Sequence, residues 1–365
     1  MLLTAAEGSA GALPEAQGSP IQAKTGEPSD PIRLSIIVPV YNDPQDLQEC
    51  LTALIAASSS CPGSEIIVVD DASTDETPAV AARMGVSVLR LAQNSGHGVA
   101  RNHGARQARG DILFFVDADV VVAPEAVRRV IQAFEANPAL AAVFGSYDTQ
   151  PRAPGVVSQY RNLLHHFVHQ HANSEASTFW NGFGAIRRQV FDALGGFNAR
   201  FSWSIPDIEL GYRLRQAGYR ILLDKALQAT HLKRWTLRSV IWTDIALRAI
   251  PWSRMIVEAK HAPDDLNLKR GQRVCVALVM LACLFLPLGV FRMDLLALPT
   301  AAFLGVVGLN RELFAFFLRQ RGPLFAIACI PLQLLYYLYS GLSYLYVWVG
   351  FRLRGVRSPS PTHGV

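Results

Sequence analysis

The sequence predicts an α/β domain of parallel βαβ units followed by apolar helices that cross a membrane. Short β-branched runs alternate with stretches of helical spacing between Leu34 and Val116, the pattern of strands joined by crossover helices. Long uncharged runs fill the chain after residue 274. The composition agrees: half of the 365 residues are hydrophobic and 17% are charged, where an ordinary soluble domain carries about 25%. Mean hydropathy is +0.21.

Residues 1–30 are rich in Ala, Gly, Pro, Ser and Glu and lack the apolar core of a signal peptide, so a disordered tail is expected. A domain over residues 31–235 follows. Leu34–Val40 reads as a strand ending in the polar turn Tyr41–Pro44. Leu47, Leu51, Leu54 and Ile55 then recur at helical spacing. Glu65–Val69 is a second strand, Asp70–Asp75 a turn, and a helix begins near Pro78. Val86–Leu91 is a third strand, Val99–Ala108 a helix, and Ile112–Val116 a fourth strand. Open α/β sheets bind ligands beyond the carboxyl ends of their strands. Here those ends carry Tyr41, Asp70, Asp71, Asn94, Asp117 and Asp119.

Residues 236–273 form a basic stretch with Trp242 and Trp252, suited to the headgroup layer of an anionic membrane. A solvated helix face with ordinary core tryptophans is the plainer alternative. Residues 274–351 are expected to form two or three transmembrane helices. Val274–Phe291 and Leu295–Leu309 read as a hairpin, and Leu324–Phe351 is long enough to cross. Three spans would place the basic tail of residues 352–365 opposite the α/β domain, against the positive-inside rule, so the number stays open. A net charge of +5 without a long Lys/Arg run excludes a dedicated nucleic-acid binder. Five scattered cysteines form neither a disulfide framework nor a metal knuckle, which fits a reducing cytosolic face.

Two acidic clusters carry candidate chemistry. Asp117-Ala118-Asp119 follows a strand, where paired carboxylates bind Mg²⁺ or Mn²⁺ together with substrate phosphates. Asp207-Ile208-Glu209 follows Pro206 in the first turn of an expected helix. Taken singly, each fits a helix start or a solvated turn equally well. The His-rich segment 163–171 places His165 and His169 on one helical face, which fits an acceptor-side helix better than a structural metal site.

In order along the chain stand Ser35-Ile-Ile-Val-Pro-Val-Tyr-Asn42, Glu65-Ile-Ile-Val-Val-Asp-Asp-Ala-Ser-Thr-Asp75, Asn94-Ser-Gly-His-Gly-Val-Ala-Arg-Asn102, Gly110-Asp-Ile-Leu-Phe-Phe-Val-Asp-Ala-Asp119 and Asp207-Ile-Glu-Leu-Gly-Tyr-Arg-Leu214. Together they resemble the inverting glycosyltransferases of family 2. That resemblance spans roughly Leu34 to Trp235 and implies the GT-A fold, a Rossmann-like mixed sheet that binds nucleotide sugars.

The resemblance further implies that Pro39, Tyr41 and Asp71 frame the nucleobase and that Arg101 lies by the base or the diphosphate. Asp117 would face the ribose and diphosphate, Asp119 would ligate the divalent cation, and Asp207 would be the general base. Glu209 would support its helix or an arginine. His231-Leu232-Lys233-Arg234-Trp235 resembles the Gln-x-x-Arg-Trp signature of processive members, with His in place of Gln. It makes His231 a candidate metal ligand, Arg234 a phosphate contact and Trp235 a floor for the acceptor. Phe179–Arg188 would form an acceptor-side loop and strand. Family members commonly carry Glu-Asp where this chain has Pro206-Asp207, so a neighbouring carboxylate is missing. The expected partners are a nucleotide-sugar donor, a lipid-linked or cell-envelope glycan acceptor and membrane lipid. The expected place is the inner membrane, multi-pass, with the catalytic domain cytoplasmic. The competing readings are a polyprenyl-phosphate sugar synthase and a non-catalytic membrane scaffold.

Overall fold

The computed structural model describes residues 34–259 and 265–353. The expected tail at residues 1–30 and the tail arginines 354 and 357 lie outside the described residues. At the centre is β1 (Leu34–Val40), buried along its whole length because it has a strand on either side. Its side chains alternate: Leu34, Ile36, Val38 and Val40 enter one core, and Ile37 enters the other.

The elements that follow β1 are α1 (Pro44–Ser58), β2 (Ser64–Asp70), α2 (Thr77–Arg83), β3 (Ser87–Arg90), α3 (His97–Gln107) and β4 (Ile112–Val116). All pairings among these four strands are parallel, as the βαβ pattern predicts. Next come β5 (Val120–Val122), α4 (Ala126–Ala136), β6 (Leu140–Tyr147), α5 (Val156–Gln170), β7 (Phe183–Arg187), α6 (Arg188–Ala193), α7 (Pro206–Gln216) and β8 (Arg220–His231). The eight-stranded sheet runs β3-β2-β1-β4-β7-β6-β8-β5. Its second half is mixed, since β7 is antiparallel to β4 and β6, and β5 is antiparallel to β8.

The two faces are covered by different helices. Leu47, Leu51 and Leu54 of α1 pack with Val127, Val130 and Phe134 of α4 in one core. Ala100 and Ala105 of α3 pack with Leu210 and Leu214 of α7 in the other. Close approach of α3 to the sheet depends on Gly104, where a Cβ would come within 2.6 Å of Ile37 Cγ2 and 2.9 Å of Val69 Cγ2.

Beyond β8 the chain is helical: α8 (Leu237–Trp242), a π-helical turn (Thr243–Ala249), α9 (Ile250–Ala259), α10 (Arg270–Phe285), α11 (Ala297–Leu309), α12 (Arg311–Arg321) and α13 (Pro323–Leu353). Two stretches are long and apolar enough to cross a membrane, Arg270–Gly289 and Pro323–Leu353. The pair Met293–Leu309 and Arg311–Arg321 passes the same test only as one span bent by 63°. By length and composition, two helices, or three with the bent pair, could therefore cross a membrane. No element had been expected at α12, because Arg311, Glu312, Arg319 and Arg321 interrupt the apolar run. Its Leu313, Phe316 and Phe317 pack on Tyr160, Leu163 and Leu164 of α5, so the α/β domain rests directly on the helical region.

Candidate active site

The strand ends open into one cleft of about 520 Å³. Pro39 and Tyr41 at the end of β1 line it, with Arg101, Asp117, Asp119, Asp207, His231 and Trp235. Eight of the residues expected from the sequence therefore converge on a single space. The other two do not reach it. Asp71 is buried behind the cleft, where its carboxylate accepts the Ser95 N–H and the Gly96 N–H at 2.8 Å each. That use ties the end of β2 to the loop before α3. Arg234 is exposed and absent from the lining, and its neighbour Lys233 faces the cleft instead.

Asp117 and Asp119 differ in their partners. Asp117 leaves β4 with its N–H donated to the Gly182 carbonyl at 3.0 Å, and its Oδ1 accepts from the Arg101 guanidinium. Arg101 is 1% exposed, and its Nε and Nη1 are buried with no protein acceptor. Such orphaned charged donors are costly unless a ligand oxygen meets them. Across the cleft, Asp119 Oδ2 lies 3.4 Å from His231 Nε2 and 3.8 Å from Lys233 Nζ. Burial raises the Asp119 carboxyl, but His231 and then Lys233 overcome it and hold the group well below its ordinary value.

The Asp119–His231 contact is made by strand register. β5 starts directly after Asp119, and β8 ends at His231. Their antiparallel pairing sets Val120 opposite His231. The Leu232 N–H donates to the Asp119 carbonyl at 2.9 Å. The imidazole stacks on Tyr147, with centroids 4.3 Å apart, and its Nδ1 is 2.6 Å from Asn162 Oδ1. The Asn162 amide is oriented by its own Nδ2, which donates to the Ser158 carbonyl at 3.0 Å. The Nδ1 hydrogen is thus directed at Asn162, and the ring turns its Nε2 edge toward Asp119.

A carboxylate and an imidazole nitrogen facing each other are a donor pair that fits a divalent cation. Among the described residues no three His, Cys, Asp or Glu groups form a ready-made cage. The donor set therefore fits an ion completed by substrate phosphates, the usual habit of Mg²⁺.

Asp207 stands at the start of α7, after Pro206 at the first helical position. Its Oδ1 accepts the Ile208 N–H at 2.8 Å. Burial pushes its carboxyl up to about 6. Glu209, two residues on, faces away and forms a bidentate pair with Arg213 at 2.6 and 2.8 Å. On the cleft wall, His165 packs at a tilt between Tyr147 and His169, with the Trp180 ring centroid 4.6 Å from its own. Burial holds His165 well below its ordinary value and pushes His169 down to about 4, so both rings are neutral wall rather than charge.

Residues 35–195 match the profile of Glycosyl transferase family 2. The chain carries a family 2 glycosyltransferase domain. A solved mannosyltransferase, PcManGT from Pyrobaculum calidifontis in complex with GDP-Man and Mn²⁺, superposes with a TM-score of 0.57 at 19% identity. The match covers 88% of this chain and 89% of that one, which shows a shared GT-A fold. An uncharacterized glycosyltransferase of Haemophilus influenzae is 31% identical over 195 residues, 50% of this chain and 62% of that protein. The validoxylamine A glucosyltransferase of Streptomyces hygroscopicus subsp. limoneus is 29% identical over 259 residues, 59% of this chain and 56% of that protein. The chain thus spans about three fifths of the length of these curated relatives.

Several residues of the family 2 domain's cleft were missed in the sequence. Asp43, in the turn after β1, lines it, and burial with Asp46 and Asp119 nearby pushes its carboxyl up to about 6. The motif run Tyr41-Asn42-Asp43 already held this signal. His97 also lines the cleft, and burial beside Arg101 pushes it down to about 3. Arg161, Asn162 and Arg248 have no local motif and enter through α5 and the π-helical turn.

Proposed function

We propose that this protein is an inverting glycosyltransferase that moves a sugar from a nucleoside-diphosphate sugar to a hydroxyl of a lipid-linked or cell-envelope glycan at the cytosolic membrane face. The observation that carries the reading is the convergence of Asp119, His231, Arg101 and Asp207 on one cleft. Pro39 and Tyr41 receive the nucleobase edge, with Asp71 shaping the loop behind it. Arg101, with two unpartnered nitrogens, meets the ribose or diphosphate beside Asp117. Asp119 and His231 would hold Mg²⁺ or Mn²⁺, and the ion would supply positive charge to neutralise the departing nucleoside diphosphate. Lys233 adds a second positive charge on that side, and Trp235 lines the acceptor wall. Asp207 removes the acceptor's proton as its oxygen attacks the anomeric carbon opposite the leaving diphosphate. Its raised pKa suits a base working near neutral pH.

A polyprenyl-phosphate sugar synthase is the second reading. Its phosphate nucleophile is already ionised and needs no base, so the perturbed Asp207 favours a hydroxyl acceptor. The two apolar stretches long enough to cross a membrane support tethering beside the bilayer. The test is donor hydrolysis by detergent-purified, full-length protein. Mn²⁺-dependent release of nucleoside diphosphate from one donor of a nucleotide-sugar screen is expected. No release from any donor, with or without metal, would leave only the scaffold reading.

A further inference from the structure

The same cleft extends past the catalytic carboxylates to Arg161 of α5 and to Thr243, Leu247 and Arg248 of the π-helical turn. Arg161 donates to Asp244 Oδ1 at 2.8 Å, and Arg248 donates to the same oxygen at 3.2 Å. The other oxygen accepts the Tyr339 hydroxyl of α13 at 2.6 Å. Two guanidinium groups thus share one carboxylate oxygen. This leaves a surplus positive charge and several N–H donors, since each guanidinium carries five. The remaining wall here is apolar, formed by Leu164, Leu247 and Trp252. Tyr339 belongs to the 31-residue helix long enough to cross a membrane, so the arginine pair sits where the catalytic domain meets that helix. A π-helical turn at this junction is itself unusual, and such turns occur frequently at functional sites.

We propose that Arg161 and Arg248 bind the phosphate or diphosphate of a lipid-linked acceptor, with its hydrocarbon chain along Leu164, Leu247 and Trp252. The assignment rests on the glycosyltransferase reading and narrows its acceptor to an anionic lipid carrier. The phosphate is an anchor, and the attacking hydroxyl is carried on the glycan that reaches Asp207. A planar guanidinium pair suits phosphate oxygens, which accept two N–H bonds from one fork. An uncharged glycan would leave the one surplus positive charge of this group without a counter-ion.

The test uses full-length protein in a neutral detergent, with farnesyl phosphate, farnesol and inorganic phosphate as probes in calorimetric titrations. Farnesyl phosphate is expected to bind at least about tenfold more tightly than either other probe, because it alone engages both the arginines and the apolar wall. Arg248→Gln is expected to weaken farnesyl phosphate by about 10- to 100-fold and to leave farnesol affinity unchanged, while Arg248→Lys recovers part of the loss. Equal affinity for farnesol and farnesyl phosphate overturns the anchor. So does an Arg248→Gln protein that binds farnesyl phosphate like wild type. Inorganic phosphate binding as tightly as farnesyl phosphate overturns the lipid source and leaves a site for free phosphate. Donor hydrolysis by the wild type is read separately. Hydrolysis without farnesyl phosphate binding sinks this inference alone, whereas absent hydrolysis sinks the enzyme reading on which it stands.

Discussion

Asn162 holds His231 in place: its Oδ1 accepts the imidazole Nδ1 hydrogen at 2.6 Å, while its Nδ2 is committed to the Ser158 carbonyl at 3.0 Å. Partners of this kind orient metal-binding imidazoles and raise their basicity, and losing one costs about 10- to 100-fold in metal affinity. Asn162→Leu should weaken Mn²⁺ binding by that factor when nucleoside diphosphate is present, measured by electron paramagnetic resonance of free Mn²⁺. Asn162→Asp keeps the acceptor and should stay within a few-fold of wild type. Equal loss in both variants, or none in either, would mean that the Oδ1 acceptor is not what orients His231.

Asp119→Ala should abolish metal-dependent donor binding and turnover while the fold persists. The side chain is 17% exposed and supports no core, so circular dichroism and melting temperature should change little. Titration of nucleotide sugar with and without Mn²⁺ checks this. Wild-type turnover at saturating metal would remove Asp119 from the metal site.

The parts legible in the sequence are those written in local patterns. Hydrophobic runs placed β1, β2 and β4 within a residue of their ends, and the polar residues just after them named Tyr41, Asp117 and Asp119. Those signals are local because in parallel βαβ units each functional residue follows its own strand. The Asp119–His231 pair was legible only through resemblance. It depends on β5 pairing with β8 more than a hundred residues away, and a three-residue strand such as Val120–Val122 has too little pattern to be read. Strand direction is equally silent, since a period of two is the same both ways, so the mixed half of the sheet could not be read from periodicity. Asp71 shows the opposite limit. A carboxylate beside a strand end reads as a ligand group, and nothing local in the sequence shows that each of its oxygens accepts a backbone N–H of the loop before α3.

Asp244 joins the catalytic domain to α13 by accepting from Arg161, Arg248 and Tyr339. It is 4% exposed, so its removal strands the Arg161 guanidinium, whose side chain is 16% exposed, while Arg248 at 43% keeps its access to water. Breaking a buried pair by deleting one partner costs about 3–5 kcal/mol. Asp244→Asn should therefore lower the melting temperature in detergent by several degrees. Tyr339→Phe deletes one hydrogen bond and should cost about 1–1.5 kcal/mol, a clearly smaller drop. Melting curves that rank the two variants in reverse would locate the latch elsewhere.

The remaining prediction separates the hydroxyl acceptor from the phosphate acceptor at Asp207. A sugar hydroxyl loses its proton as the glycosidic bond forms, so deleting the positioned base should lower kcat by about 10²- to 10⁴-fold. Asp207→Asn keeps the size of the side chain and its Oδ1 bond to the Ile208 N–H, but it cannot take the proton. In the proposed assignment Arg101 and a metal at Asp119 would hold the donor, so its affinity should be nearly unchanged. The pH profile supplies an independent reading. Burial raises the Asp207 carboxyl to about 6, so the base is protonated and inactive below that value and becomes active as pH rises through it. Wild-type kcat should climb through an acid limb near pH 6, and the limb should vanish in Asp207→Asn. An Asn variant within a few-fold of wild type, with the limb intact, would assign the limb to another group and favour an acceptor that arrives already ionised.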